Sequence, residues 1–313
     1  MIITEFYDGQ GLGNQLWCYA VTRCVAKLRG FNFGIQSQHK YKGSEFLEID
    51  MGMKVVGGNG PEGGPPHTLP NEINFYYREK GHTHPRTKIF IGKLDENLLK
   101  IKDNTKIDGV MQSINYIQNF RNDLKEWIKP KISHNITEWS DKDICVIHVR
   151  GGDFLGSSAF LLREYYTRGM KEMLQKNSRI KFVAVTDDPL YCSNVCPGVP
   201  IVGGSTTQLK DNLKASHHIG GPTWMDWTIL YNAKNVIISA SSFSFWPIWL
   251  NDNVNVIAPM YWGDYKGSDG YWSCGDSLIP NWNYAHRDGN FYTYEQCLQQ
   301  KLDYENQNKD YWK

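Results

Sequence analysis

The sequence predicts an α/β protein made of two Rossmann-like domains. The chain has 313 residues, enough for two domains of roughly 150 residues each. Short apolar runs alternate with segments of helical periodicity in both halves, which is typical of parallel sheets covered on both faces. A polar, turn-rich stretch at residues 130–142 separates the halves. We therefore place the domains at residues 1–135 and 136–313.

The N-terminal half opens as a Rossmann-like unit does. Residues 2–7 predict a strand, and the glycine-rich segment 8–13 predicts a turn after it. Apolar residues recur at helical spacing over 14–28, and Gly30 follows as a helix terminator. Strand, glycine turn and helix in this order are typical of the fold. Further predicted elements are strands over 31–35 and 88–94, a helix over 116–128 and a surface loop over 57–70.

The second half repeats the alternation of strands and helices. Buried strands are predicted over 144–149, 181–185, 199–202, 236–239 and 255–258. Helices are predicted over 161–175, 224–233 and from 241 to 246. This order again favours a parallel sheet between helices.

Composition excludes several classes of protein. The chain carries 34 Lys and Arg against 33 Asp and Glu, a net charge of +1, whereas a nucleic-acid-binding protein usually shows a basic excess. No apolar run reaches the length that crosses a bilayer, and the first residues lack the features of a signal peptide. The 7 cysteines are scattered, as in proteins of a reducing compartment. We expect a cytoplasmic protein with no nucleic-acid partner and no membrane span.

Four polar or glycine-rich turns follow predicted strands. They cover residues 11–14, 148–153, 186–188 and 239–244. Ligands of doubly wound sheets bind at the carboxyl ends of the strands. We therefore expect these turns to converge on a central cleft that the two domains face.

The side chains of these turns suit a nucleoside diphosphate. Arg150 offers a planar fork for a phosphate, and Gly151 and Gly152 leave room for a close ligand. Asp187 or Asp188 can accept hydrogen bonds from a ribose or from the edge of guanine. The serines at the predicted helix start offer hydroxyl and backbone N–H groups to an anion; they are Ser241, Ser242 and Ser244.

Each feature also has a purely structural interpretation. The turn at 11–14 can be only a tight turn, and Asp153 can pair with Arg150 or cap a helix. The serines at 241–244 can be only a helix N-cap, and His148 can be a hydrogen-bonded core residue. Because all of them fall at strand ends, we favour the binding interpretation.

The same residues resemble the motif set of the α-1,2-fucosyltransferases of glycosyltransferase family 11. Residues 11–20 (GLGNQLWCYA) resemble G-L-G-N-Q-M-F-Q-Y-A, and 148–153 (HVRGGD) resemble H-x-R-R-G-D. Residues 186–189 resemble the family's S-D-D turn, and 226–250 resemble its D-x-x-L-M…N-S-S-F-S-W-W-x-A-W-L block. The resemblance runs in the family's order from residue 9 to about 282.

This resemblance implies a GT-B-like fold with an acceptor-side N-terminal domain and a GDP-sugar-binding C-terminal domain. It implies transfer of L-fucose from GDP-β-L-fucose, with inversion and without a metal ion or other cofactor, to a sugar hydroxyl of an oligosaccharide. An α-1,2 linkage to a terminal galactose is the acceptor chemistry that it implies.

The resemblance also implies roles for single residues. Arg150 would hold the diphosphate, with His148 and Asp153 shaping its turn, and Asp187 would lie near the guanosine. Asn14 would face the donor. The remaining implied nucleotide contacts are Gly11, Gly13, Ser241, Ser242, Phe243 and Ser244.

Two positions depart from the family pattern. Gly151 stands where the family has a second arginine, and Ala240 stands where it has asparagine. Two other functions therefore stay open. One is a GT-B transferase with another GDP-sugar or linkage, and the other is a glycan- or nucleotide-binding module without turnover.

Overall fold

The computed structural model describes residues 1–55, 73–80, 82–83, 90–131, 138–154, 160–203, 223–260, 263–264, 272–273, 276–286 and 290–307. The described residues up to Lys129 form one compact unit, and those from Pro130 onward form a second. Each unit contains its own parallel sheet, which confirms the α/β class and the two Rossmann-like units. The loop predicted over 57–70 lies outside the described residues.

The first unit is built on a four-stranded parallel sheet with the order β2-β1-β7-β4. Its strands are β1 Ile2–Glu5, β2 Phe33–Gln36, β3 Leu47–Glu48, β4 Phe75–Arg78, β5 His82–Thr83, β6 Phe90–Ile91, β7 Thr105–Asp108 and β8 Lys129–Pro130. Its helices are α1 Leu12–Arg29 and α2 Arg121–Trp127. Strands β4 and β7 were not predicted from the sequence.

Helix α1 shows why the opening of the chain folds as predicted. Most of its apolar residues, among them Leu16 and Tyr19, are buried, whereas Leu28 near its end is exposed. Gly30 ends the helix in the left-handed conformation with φ 69°, which glycine adopts at little cost. The predicted strand, glycine turn and helix are therefore confirmed.

An ion pair is buried between two strands of this sheet. Lys106 of β7 is fully buried, and its Nζ lies 2.5 Å from Oε2 of Glu5 at the end of β1. Ser37 donates a second hydrogen bond to the other oxygen of Glu5 at 2.9 Å. A charge this deep in a sheet is tolerated because its counter-charge is in contact with it.

The second unit is built on a six-stranded sheet with the order β10-β9-β11-β12-β15-β16, in which β16 runs antiparallel to β15. Its strands are β9 Ile144–Val149, β10 Lys181–Thr186, β11 Asn235–Ile237, β12 Asn255–Pro259, β13 Gly263–Asp264, β14 Trp272–Ser273, β15 Asn283–Ala285 and β16 Phe291–Tyr292. Its helices are α3 Arg163–Lys176, α4 Pro189–Val195, α5 Thr223–Asn232, α6 Ser242–Leu250 and α7 Tyr294–Gln307.

The core of this unit lies between the central strands and their helices. Cys145 and Ile147 of β9 pack with Tyr166 and Met173 of α3. The predicted strand over 199–202 is reduced to one isolated bridge, between Ala184 and Ile201. Because β10, β9 and β11 are neighbours and parallel, their carboxyl ends lie side by side. None of the helices in the described ranges is long and apolar enough to span a bilayer.

Candidate functional site

Arg150 leaves the carboxyl end of β9 between two carboxylates. Its Nη1 lies 2.8 Å from Oδ2 of Asp187, and its Nη2 lies 2.5 Å from Oδ1 of Asp153. The Asp153 side chain is 66% exposed, whereas that of Asp187 is 32% exposed. The guanidinium also lies over the ring of Phe154, 5.1 Å from its centroid. Both charged partners of Arg150 described here are therefore acidic, and Asp153 is the more exposed of the two.

One nitrogen of Arg150 is not used by either carboxylate. Its Nε is buried and has no hydrogen-bond partner among the residues that the structure describes. A buried donor without an acceptor is uncommon in folded proteins and points to strain, water or a ligand. The guanidinium therefore has donor capacity beyond its two ion pairs.

Two glycines after Arg150 make room for acidic side chains. The Gly151 N–H donates to Oδ1 of Asp187 at 2.9 Å, and the Gly152 N–H donates to Oδ2 of Asp188 at 3.3 Å. A Cβ at Gly151 would lie 2.5 Å from Cβ of Asp188, and Gly152 has φ +47°. The space expected to admit a ligand here is thus filled by these carboxylates, which is a correction of the sequence-based interpretation.

Asp187 sits in a partly desolvated position. Burial raises the pKa of its carboxyl above the usual value, and the charge of Arg150 opposes this rise. The carboxylate is held by the guanidinium and by the Gly151 N–H, so its visible contacts are with the turn after β9. Its predicted place near a guanosine stays a prediction.

His148 joins the end of β9 to the turn after β11. Its Nδ1 lies 2.6 Å from Oγ of Ser239, and its ring lies 6.1 Å from the ring of Phe243. Burial, followed by the charge of Arg150, lowers the pKa of His148 to about 3. His148 is therefore a neutral, hydrogen-bonded side chain that fixes the two turns relative to each other.

The turn after β11 begins helix α6 with a capping serine. Ser241 is the N-cap, and its hydroxyl accepts a hydrogen bond from the Phe243 N–H at 3.3 Å. Ser244 is fully buried, and its hydroxyl donates to the Ser241 carbonyl at 3.2 Å. Ser242 and Phe243 are partly exposed. Ser241 therefore has the structural role of a helix N-cap. Ser242 and Phe243 are the residues of this helix start that are partly accessible to solvent.

The predicted residues of the first unit lie where β1 leads into α1. Gly11 is the N-cap of α1 and is exposed, with φ −69° and no atom within 4 Å of an added Cβ. Gly13 is buried, and Oδ1 of Asn14 accepts a hydrogen bond from Nε2 of Gln112 at 2.7 Å. Neither the backbone nor local packing at Gly11 requires a glycine.

Three of the four predicted turns thus meet in one place. The turns at 148–153, 186–188 and 239–244 are linked by the bonds described above, whereas 11–14 belongs to the other unit. The cleft that was expected to include all four stays a prediction. The hydrogen bond between Ser239 and His148 was not predicted. The feature of the sequence that could have indicated it is a serine at the end of a buried strand.

One family model matches a part of the chain that includes these three turns. The model of the family described as Glycosyl transferase family 11 matches residues 98–286, which is more than half of the chain. An alpha-1,2-colitosyltransferase of Escherichia coli is 23% identical over 192 residues, which are 57% of this chain and 63% of that protein. The chain therefore matches less than two thirds of the length of this relative.

Solved structures also resemble the chain. A structure of fucosyltransferase NodZ from Bradyrhizobium has 16% identity and a TM-score of 0.44, covering 82% of this chain and 94% of that chain. A structure of POFUT1 in complex with GDP has 9% identity and a TM-score of 0.39, covering 82% of this chain and 97% of that chain.

Proposed function

The chain belongs to glycosyl transferase family 11, and on that premise we propose that it transfers L-fucose from GDP-β-L-fucose to a sugar hydroxyl of an oligosaccharide. We propose an α-1,2 linkage to galactose, inversion at the anomeric carbon and no requirement for a metal ion. The observation that carries the proposal is the position of Arg150, whose guanidinium stands at the carboxyl end of β9 in the turn that His148 joins to the start of α6.

The chemistry needs positive charge where GDP leaves. In the proposed reaction the acceptor oxygen forms a bond to C1 of fucose while the bond from C1 to the β-phosphate oxygen breaks. The electron pair stays on the phosphate, which gains negative charge. Arg150 can hold that charge by hydrogen bonds, and the partial positive charge at the start of α6 adds to it.

Donor binding requires Arg150 to exchange one acidic partner for phosphate. Asp153 is the partner that can be released, because its side chain is mostly in water and an exposed ion pair contributes about 0–1 kcal/mol. Asp187 is less exposed and is also bound to the Gly151 N–H, so it can keep Arg150 oriented during the exchange. The diphosphate would then take the place of the Asp153 carboxylate.

A second donor is favoured by one specific observation. The curated relative transfers colitose, which is fucose without its 3-hydroxyl group. A site for GDP-colitose would share the guanine and diphosphate contacts with a site for GDP-fucose. The two donors differ only at the sugar, so a comparison of GDP-sugars distinguishes them.

Calorimetric titration in EDTA tests the donor assignment. GDP-fucose, GDP-colitose, GDP-mannose, GDP and UDP would each be titrated into the protein. We expect binding of the guanine nucleotides and none of UDP, with tighter binding of GDP-fucose than of GDP-mannose. Absence of binding by every guanine nucleotide would contradict the proposed function.

Turnover separates an enzyme from a binding module. Incubation with GDP-fucose and lactose, a galactose-terminated disaccharide, should release GDP and give a fucosylated trisaccharide whose linkage is read by NMR. Binding of GDP-fucose with neither transfer nor slow hydrolysis would favour the non-catalytic module. Loss of transfer in EDTA would contradict the metal-independent mechanism.

A further inference from the structure

The series of hydrogen bonds between β11 and β12 is interrupted near the end of β12. The two strands are parallel. The Asn255 N–H donates to the Lys234 carbonyl at 2.8 Å, and the Ile238 N–H donates to the Ile257 carbonyl at 2.9 Å. In a parallel pair, every second residue of a strand bonds to the same neighbouring strand. The donor that should follow, to the Ile238 carbonyl, is therefore the N–H of residue 259.

Pro259 occupies this position and has no N–H to donate. Proline is uncommon inside a sheet for this reason, and β12 is an interior strand because it lies between β11 and β15. Ile238 is fully buried, so water does not replace the missing donor. A buried carbonyl without a donor is costly, and this point of the sheet therefore needs a donor from elsewhere.

Tyr165 of α3 supplies this hydrogen bond. Its hydroxyl donates to the Ile238 carbonyl at 2.6 Å. The Ile257 carbonyl lies 3.4 Å from the same hydroxyl, but it already accepts the Ile238 N–H, and a hydroxyl has one proton to donate. Burial raises the pKa of Tyr165 well above its usual value, so the hydroxyl keeps its proton. A helix side chain thus takes the place of the N–H that the proline lacks.

This hydrogen bond acts on the residue that begins the turn after β11. The Ile238 carbonyl and the Ser239 N–H belong to one planar peptide group, so holding the carbonyl also orients Ser239. Ser239 is buried, and its Oγ lies 2.6 Å from Nδ1 of His148. His148 is two residues before Arg150. Tyr165 is therefore connected through these two side chains to the turn that carries the guanidinium.

We propose that Tyr165 is a positioning residue, which replaces the N–H that Pro259 lacks and so holds Ser239 against the ring of His148. Without this hydrogen bond the peptide group is free to rotate, and His148 loses the partner that selects its tautomer. The consequence for the donor rests on the proposed function, because a displaced His148 shifts the turn of Arg150. Tyr165 itself touches no substrate.

Four variants of the whole protein test the role of this hydroxyl. Tyr165→Phe removes the hydroxyl and keeps the ring, and Pro259→Ala restores an N–H to the strand. The double variant therefore has a backbone donor for Ile238 in place of the phenol. Tyr166→Phe is the matched control, because Tyr166 is fully buried and its hydroxyl has no hydrogen-bond partner among the described residues.

Nitrogen NMR of the His148 ring gives a measurement that needs no donor. Comparison with His148→Asn identifies the signals of this ring. In the wild type we expect two well-separated nitrogen shifts, since a neutral imidazole has one protonated and one bare nitrogen. In Tyr165→Phe the two shifts should move towards each other, because the ring exchanges between tautomers. Tyr166→Phe should keep the wild-type shifts, and the double variant should regain them.

Donor affinity shows whether this position matters for function. We expect GDP-fucose to bind Tyr165→Phe about tenfold more weakly, within the range for a buried acceptor left without a donor. The double variant should bind within about threefold of the wild type, and Tyr166→Phe should bind as the wild type does. Melting curves establish that each variant is folded at the temperature of the calorimetry.

The outcomes separate this inference from the proposed function. Wild-type His148 shifts in Tyr165→Phe, an equal change in Tyr166→Phe, or no recovery in the double variant would overturn the role of Tyr165. Should Tyr165→Phe fail to fold, a folded double variant with wild-type shifts would support that role, and an unfolded one would overturn it.

Two further results concern the donor. Altered His148 shifts in Tyr165→Phe with wild-type affinity for GDP-fucose would overturn the link between Tyr165 and donor binding. Wild-type protein that binds no guanine nucleotide would overturn the proposed function, while the His148 shifts would still decide whether Tyr165 positions the ring.

Discussion

Asp187 holds Arg150 from the neighbouring strand end. Oδ2 of Asp187 lies 2.8 Å from Nη1 of Arg150, and its Oδ1 accepts the N–H of the next residue, Gly151. One carboxylate therefore fixes both the guanidinium and the backbone of the turn that carries it. The arrangement of Arg150, its two carboxylates and His148 gives four testable expectations.

Replacing Arg150 should remove most of the turnover. Arg150→Ala takes away the guanidinium that we propose to face the leaving diphosphate, and loss of one preorganised donor costs about 10²–10³-fold in turnover. Initial rates of GDP release with lactose measure the effect. The control is Arg179→Ala, because Arg179 is a 67% exposed arginine that pairs with Asp143 near the amino ends of β9 and β10. Equal rates for Arg150→Ala and wild type would contradict the assignment of Arg150.

Replacing Asp187 should weaken donor binding although it removes a negative charge. In Asp187→Asn, the amide NH₂ would face the Arg150 guanidinium, or the Gly151 N–H would lose its acceptor. Arg150 is then misplaced, and we expect GDP-fucose to bind about tenfold more weakly, within the range for a hydrogen bond to a charged group. Calorimetry measures the affinity for GDP-fucose. Tighter binding of GDP-fucose by the variant would show that Asp187 acts only by repelling phosphate.

Replacing Asp153 should have the opposite effect. Asp153→Asn removes the same unit of charge, but from the exposed partner of Arg150, which we propose that the diphosphate displaces. Two charges about 6 Å apart in water interact by roughly 0.7 kcal/mol, so binding should tighten about threefold. The pair of variants is informative because the charge change is identical and the predicted directions differ. Weaker binding by Asp153→Asn would show that Asp153 contacts the donor or shapes its turn.

His148 should make the protein less stable in mild acid. Its pKa is about 3 in the folded state, well below the ordinary value of about 6.5, so the unfolded chain takes up this proton first. The free energy of unfolding should therefore fall as pH drops through about 6.5 towards 3, by up to about 1.4 kcal/mol per pH unit for one proton.

Urea unfolding at about pH 7 and about pH 5 measures this slope in wild type and in His148→Asn. The variant should show a smaller loss between the two pH values, whatever its absolute stability. His39→Asn is the control, because His39 is exposed on a 3-10 turn of the other unit. An unchanged slope in His148→Asn would mean that His148 is not held neutral.

The sequence predicted strands β9 to β12 of the second unit because they are short and mostly apolar. Arg150 and the serines of α6 follow such strands, so their places could be read directly. The ion pair between Asp187 and Arg150 could not be predicted from the sequence, because it depends on which strand lies next to β9 in the sheet. Likewise, nothing in the spacing indicates that Asp188 fills the space beside Gly151.

The first unit shows a different limit. Strand β7 has the sequence TKID, in which a fully buried lysine breaks the apolar pattern. Its burial is possible only because Glu5 lies on the adjacent strand, and pairing across strands is invisible in one sequence. Strand β4, FYYR, is mostly exposed and lies at the sheet edge, so it lacks alternation.

The contact between Glu5 and Lys106 makes two distant sequence positions depend on each other. Removing one partner leaves an uncompensated charge in the sheet, which costs about 3–5 kcal/mol, whereas exchanging both for apolar residues is nearly neutral. Among close relatives, substitutions at these positions should therefore appear together and seldom singly. Such covariation would also set the register of β1 against β7 from sequences alone.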